Sequence, residues 1–150
     1  MKFHFIWVGK TKDPNWRALQ EDYLQRLSHF VKCSVTEIKD KAAHETVDTE
    51  GERILAKVNQ SGFICALDLK GRSMGSRKLA AQVSEWQVSG LKEITFVIGG
   101  AEGLSSAVVE RADFSLSLSF LTFTHDMSRV ILLEQLYRAF TIIKGYPYQK

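Results

Sequence analysis

The chain has 150 residues, 45% of them apolar and 25% charged, a balance that supports one buried core and leaves no room for two independent domains. Its net charge of +3 admits a polyanionic partner without requiring one. The opening MKFHFIWVGKTKD returns to charge too soon for a secretory or membrane segment, and Cys33 and Cys65 lack CxxC or Cys/His spacing; the expectation is a cytoplasmic protein with two buried free thiols, no metal and no membrane span.

Strand-like segments are predicted at residues 3–8, 33–38, 63–69, 94–98 and 115–119, and they recur at intervals of about thirty residues with helical patterns between them. That spacing fits a mostly parallel sheet with helices on both faces. The first helix is marked by Asp13 as cap, Pro14 at its first position, and an apolar stripe of Trp16, Leu19, Tyr23, Leu27 and Phe30. The polar stretch 39–48 reads as a mobile loop. A second helix is expected over residues 46–58, weakened by Gly51, and a third from Ser76 through Leu79, Val83 and Trp86 to a stop at Gly90. A short fourth begins near Leu104. The last, residues 125–143, is apolar beyond what one helix face can bury in a small domain, which points to packing against a second subunit.

The turn after the first strand, Gly9-Lys10-Thr11-Lys12, is neither GxGxxG nor a P-loop, so a conventional dinucleotide or ATP site is disfavoured. Glycines cluster later, in FVIGGAEGL, where Gly99, Gly100 and Gly103 form either a tight strand-to-helix connection or a turn that a ligand can approach closely. The fifth strand runs into FLTFTHDMSR, and carboxyl ends of adjacent parallel strands are where such sheets hold ligands. The end of the third strand, LDLKG, is a further candidate wall. A flavodoxin-like binding domain with a structural GGAEG turn is the alternative that these residues leave open.

Taken together and in order, LDLKG, FVIGGAEGL, LSLSFLTFTHDMSRVILLEQLYRAF and the closing KGYPYQK resemble the ribosomal RNA large subunit methyltransferase H family of the SPOUT class, and the resemblance extends to the opening segment. It implies a single α/β domain over residues 1–150 whose C-terminal third forms a deep trefoil knot. It implies S-adenosylmethionine bound by Leu67, Gly99, Gly100 and Gly103 and by Leu118, Ser119, Phe120, Leu121, Thr122 and Phe123. The implied reaction is methylation of N3 of a pseudouridine in 23S ribosomal RNA of the assembled large subunit or ribosome, by a homodimer that places one subunit's tail near the other's cofactor. Arg129 and Arg138 are then the candidate charges for a phosphate or developing anion, and His125 and Tyr148 candidates for orienting RNA, moving a proton or stacking on the base.

Glu134, four residues before Arg138, can make a helix-surface pair with it. Family members typically close on Tyr-His and a basic residue, whereas this chain has Tyr148-Gln149-Lys150. Glutamine does not titrate near neutral pH, so no general base is available at that position. A knotted cofactor- or RNA-binding protein with weakened catalysis is the alternative that Gln149 raises.

Overall fold

Alternation along the first strand decides the layering. In the computed structural model, which describes residues 1–148, β1 (Lys2–Val8) sends Phe3, Phe5 and Trp7 into one apolar layer and Ile6 and Val8 into the other. With β2 (Lys32–Ile38), β3 (Phe63–Ser73), β4 (Glu93–Ile98) and β5 (Phe114–Ser117) it forms a wholly parallel sheet in the order β2-β1-β4-β3-β5. A flavodoxin-like sheet runs 2-1-3-4-5. Here β4 lies between β1 and β3, so that alternative is excluded by topology.

Helices α1 (Pro14–Ser28), α3 (Ser76–Val88) and α5 (His125–Lys144) cover the aromatic face, and α2 (Val47–Leu55) and α4 (Ser106–Arg111) cover the Ile/Val face. Asp13 caps α1 as expected, accepting from the amides of Asn15 and Trp16 at 2.7 and 3.3 Å. Of its expected stripe Tyr23, Leu27 and Phe30 pack into the aromatic layer, but Trp16 joins neither layer and Leu19 is 42% exposed, with Gln20 buried in its place. The cause lies outside the helix, because the Gln20 side-chain Oε1 accepts from the hydroxyl of Thr11 at 2.9 Å. Gly51, read as a weak point of α2, is instead its contact with α4. A Cβ there would stand 2.1 Å from Ser105 Oγ.

The polar stretch 39–48 carries its own anchor. Glu45 accepts two hydrogen bonds from Arg53, at 2.9 and 3.0 Å, and one from the amide of Ala42 at 2.7 Å. The hydrogen bonds from Arg53 hold the Glu45 carboxyl at about 2. Cys33 is half-buried and Cys65 buried, both as free thiols; burial pushes the Cys33 thiol up to about 11 and that of Cys65 further up.

β3 continues past the expected boundary to Ser73, but its register with β5 breaks: Leu67 and Arg72 both align with Leu116, so residues 68–71 bulge out of the ladder. β5 ends at Ser117, earlier than expected, which leaves Ser119 in a linker. α5 packs against both α1 and α3 and buries Leu132, Leu133, Leu136, Ala139 and Phe140, so much of its apolar content is absorbed within one protomer. Among the described residues no helix is long and apolar enough to cross a membrane.

Candidate active site

The carboxyl ends of β3, β4 and β5 converge on one cleft. Beyond β4 the chain closes on itself: Gly103 donates to the Gly100 carbonyl at 3.1 Å and adopts φ +78°, a conformation that favours glycine. A Cβ on Gly99 would stand 2.5 Å from the backbone of Gly103, so only glycine fits this floor. Beyond β5 the linker is shaped by its own hydroxyls, with Ser117 Oγ donating to the Ser119 carbonyl at 3.1 Å and Ser119 Oγ accepting from the amide of Leu121 at 3.0 Å. Thr124 then caps α5 by accepting from the amide of Met127 at 3.3 Å.

The enclosed volume is about 390 Å³. Leu67, Ile98, Leu116, Leu118, Leu121 and Phe123 give it apolar walls, while Asp68, Ser119, Thr122, Thr124, His125 and Ser128 supply the polar side chains. A mainly apolar cleft with a few convergent polar groups suits a small amphipathic ligand.

Nine of the ten residues expected at a cofactor line this cleft: Leu67, Gly99, Gly100, Gly103, Leu118, Ser119, Leu121, Thr122 and Phe123. Phe120 does not; the bend at Ser119 leaves it 93% exposed. Thr124 and Ser128 escaped the sequence reading, although their spacing of one helical turn, with His125 between them, could have marked a shared face. His125 lines the cleft at the start of α5, its Nε2 3.9 Å from Asp126 Oδ1.

Arg129 corrects an expectation. Its guanidinium is wholly buried, donates to the Val8 carbonyl and to Thr11 Oγ1 at 2.9 Å, pairs with Asp126 at 3.2 Å, and lies 5.1 Å from the centre of the Trp7 ring. Burial lowers its pKa from the ordinary arginine value, against the opposing pull of Asp126. With its donors turned inward, Arg129 holds no phosphate from this position; it fastens the first turn of α5 to the end of β1.

Arg138 sits elsewhere again. Thirteen residues beyond His125 on one helix, it is about 20 Å from that end of the cleft. Its Nε donates to Glu134 at 3.0 Å, so the helix-surface pair is formed, and its guanidinium lies 5.0 Å from the centre of the Tyr148 ring. Tyr148 donates to Glu134 at 3.1 Å and approaches the Tyr23 hydroxyl at 3.4 Å. Burial, then the hydrogen bond with Tyr23 and the charge of Glu134, raises the Tyr148 phenol above its ordinary value. Apart from Phe120, which is exposed, and Arg129, which is buried in the core, the expected site residues that are described fall into two groups within one chain, the cleft and an Arg138–Glu134–Tyr148 group. Gln149 lies outside the described residues. Among those described, no group of His, Cys, Asp or Glu is placed to hold a metal ion.

Solved structures share this architecture. A probable methylase family protein from Haemophilus influenzae superimposes with a TM-score of 0.60 at 13% identity, covering 99% of this chain and 70% of that one. A probable methyltransferase from Bordetella pertussis gives 0.57 at 13% identity, covering 92% and 95%. The sequence pattern of a family described as predicted SPOUT methyltransferases matches residues 1–149. Fold and sequence pattern together define a SPOUT-class methyltransferase, the α/β class that carries a C-terminal knot. Proteins named ribosomal RNA large subunit methyltransferase H from Carboxydothermus hydrogenoformans and Halothermothrix orenii are 45% and 44% identical to this chain, each with 100% of both chains covered. One from Methanoregula boonei, named as putative, is 46% identical over the same full extent. The chain belongs to the ribosomal RNA large subunit methyltransferase H family.

Proposed function

We propose that this protein is a single-domain, S-adenosylmethionine-dependent enzyme that methylates N3 of a pseudouridine in 23S ribosomal RNA of the assembled large subunit or ribosome, and that it works in the cytoplasm as a homodimer. The observation that carries the reading is the cleft of about 390 Å³ between the Gly99 turn and the linker after β5. The glycine turn beside it is closed tightly on itself, since a Cβ at Gly99 would meet the Gly103 backbone, and at Gly99, Gly100 and Gly103 the cleft is lined by backbone without side chains.

Leu67, Leu118, Leu121 and Phe123 would flank the donor, and Gly99, Gly100 and Gly103 would admit it to the backbone. S-adenosylmethionine supplies an electrophilic methyl group, transferred without a covalent enzyme intermediate. The chain's own contribution is therefore placement of the acceptor and removal of its imide proton. Asp68 and His125 are the titratable side chains that line the cleft among the described residues, and His125 is the residue assigned to the proton.

A cation beside the developing anion is not available from Arg129, whose guanidinium is wholly buried with both terminal nitrogens bonded to Thr11, Asp126 and Val8. Arg138 is about 20 Å away along α5 on the same protomer, with Tyr148 beside it, so in this reading the pair reaches the cleft of the other subunit, which makes the site composite. Gln149 favours a second reading in which the fold and donor binding persist with little turnover.

The test is mass mapping of large-subunit RNA from ribosomes lacking the modification, incubated with S-adenosylmethionine and this protein or its Gln149→His variant. The expected result is one added methyl on the pseudouridine-bearing fragment. If both proteins leave the RNA unchanged while another family enzyme modifies the same ribosomes, the enzymatic reading fails.

A further inference from the structure

Eight arginines stand in the chain, and six of them spend their N–H groups internally: Arg17 on the Thr11 carbonyl, and Arg26, Arg53, Arg111, Arg129 and Arg138 on carboxylates. Arg72 and Arg77 alone have no acceptor among the described residues. They share one short segment, LKGRSMGSRK at residues 69–78, with Lys70 and Lys78. All four cations are exposed, and the segment contains no carboxylate. Together they outweigh the chain's net charge of +3, so the rest of the molecule is slightly acidic.

The segment is held rigidly. Arg72 and Ser73 are in register with Leu116 and Ser117 of β5, and a Cβ on Gly71 would meet the β5 backbone at 2.7 Å. The Arg72 guanidinium rests 5.1 Å from the centre of the Phe114 ring, which fixes its stem and leaves its edge free. Ser76 donates to Gln135 at 2.6 Å, pinning the start of α3 to α5. Leu69 lines the proposed donor cleft, while Met74, Gly75 and Ser76 line a neighbouring hollow of about 200 Å³ that shares Leu116 and Leu118 with it.

We propose that Lys70, Arg72, Arg77 and Lys78 form a strap that grips the sugar–phosphate backbone of the RNA substrate beside the methyl-transfer cleft; this rests on the methyltransferase reading above. Guanidinium forks without internal acceptors match phosphate oxygens in geometry as well as charge. Cations on a fixed scaffold also give up little conformational freedom on binding.

The experiment uses the full-length protein, its Arg72→Gln/Arg77→Gln double variant and the Arg72→Lys/Arg77→Lys control. It measures binding to large ribosomal subunits across a salt series, calorimetry with S-adenosylhomocysteine, and sedimentation. The glutamine variant is expected to bind RNA more weakly and to lower the slope of log affinity against log salt by about two, one for each phosphate no longer neutralised. The lysine control should retain most of that slope, and S-adenosylhomocysteine affinity and dimer mass should not change.

An unchanged salt slope alongside intact methylation by the wild-type protein would overturn the strap alone. Dissociation of the dimer on substitution would overturn it too, by showing that the segment serves a second copy. If the wild-type protein binds no S-adenosylhomocysteine and transfers no methyl group, the methyltransferase reading falls and the strap falls with it.

Discussion

Arg129 donates to the backbone carbonyl of Val8, 121 residues earlier in the chain, and so fixes the first turn of α5 to the end of β1. His125 and Ser128 on that turn line the cleft. Removing the guanidinium leaves the Val8 carbonyl, Thr11 and Asp126 short of a donor inside the protein. Arg129→Met is expected to lower unfolding free energy by about 3 kcal/mol, and Arg129→Lys by less. S-adenosylhomocysteine affinity should fall with it. Urea unfolding and calorimetry check this, and an unaltered midpoint would show that the network contributes nothing net.

The two adjacent glycines of the floor separate backbone crowding from mere smallness. A methyl group on Gly99 meets the Gly103 backbone at 2.5 Å, whereas one on Gly100 meets only the Val8 side chain at 3.4 Å and Glu50 at 3.5 Å. Gly99→Ala should weaken S-adenosylhomocysteine binding about tenfold or more, since the turn must shift, and Gly100→Ala about twofold or less. Equal effects by calorimetry would show that backbone crowding at the floor does not govern binding.

Gly51 sets helix propensity against packing. Alanine in the middle of α2 should gain about 0.5–1 kcal/mol from propensity. The new Cβ, at 2.1 Å from Ser105 Oγ, should cost about 1–3 kcal/mol by forcing α2 and α4 apart. The net expectation for Gly51→Ala is a lower melting temperature, read by thermal denaturation.

Acid should loosen the α2 corner. The Glu45 carboxyl is held at about 2 by Arg53, below its ordinary 4.5, so the stabilisation it confers is complete above about 4.5 and is lost as pH falls toward 2. Glu45→Gln should remove that part of the acid limb and leave stability less dependent on pH between those values. Denaturant unfolding at several pH values between 2 and 6 gives the comparison.

A composite site makes a prediction that no single-subunit site makes. At donor concentrations well below saturation, Arg138→Ala and Gly99→Ala should each sharply lower the turnover of a homodimer. In mixed dimers the intact cleft of one subunit meets the intact Arg138 group of the other, and turnover should recover to roughly a quarter of wild type for an equal mixture. Absence of recovery after subunit exchange would place both clusters' roles within one protomer.

Much of the fold was legible because its signals lie between near neighbours in the chain. Asp13 before Pro14 caps α1 whatever the rest of the molecule does, and alternation in FHFIWV divides β1 between two layers by strand geometry alone. The two cleft-forming segments were also readable, since a glycine-rich turn after one strand and a hydroxyl-rich linker after the next must both stand at the carboxyl edge of a parallel sheet.

Other features depend on partners that arrive from far along the sequence. Nothing local says that β4 enters the sheet between β1 and β3, since that order follows from how the crossovers pack rather than from any strand's own residues. Gln20 replaces Leu19 on the inner face of α1 because Thr11 offers it a donor. An arginine at the start of a helix reads from sequence as a surface cation. Arg129 is buried because Val8, Thr11, Asp126 and the Trp7 ring together replace its water, and only the folded chain brings those four groups to one place.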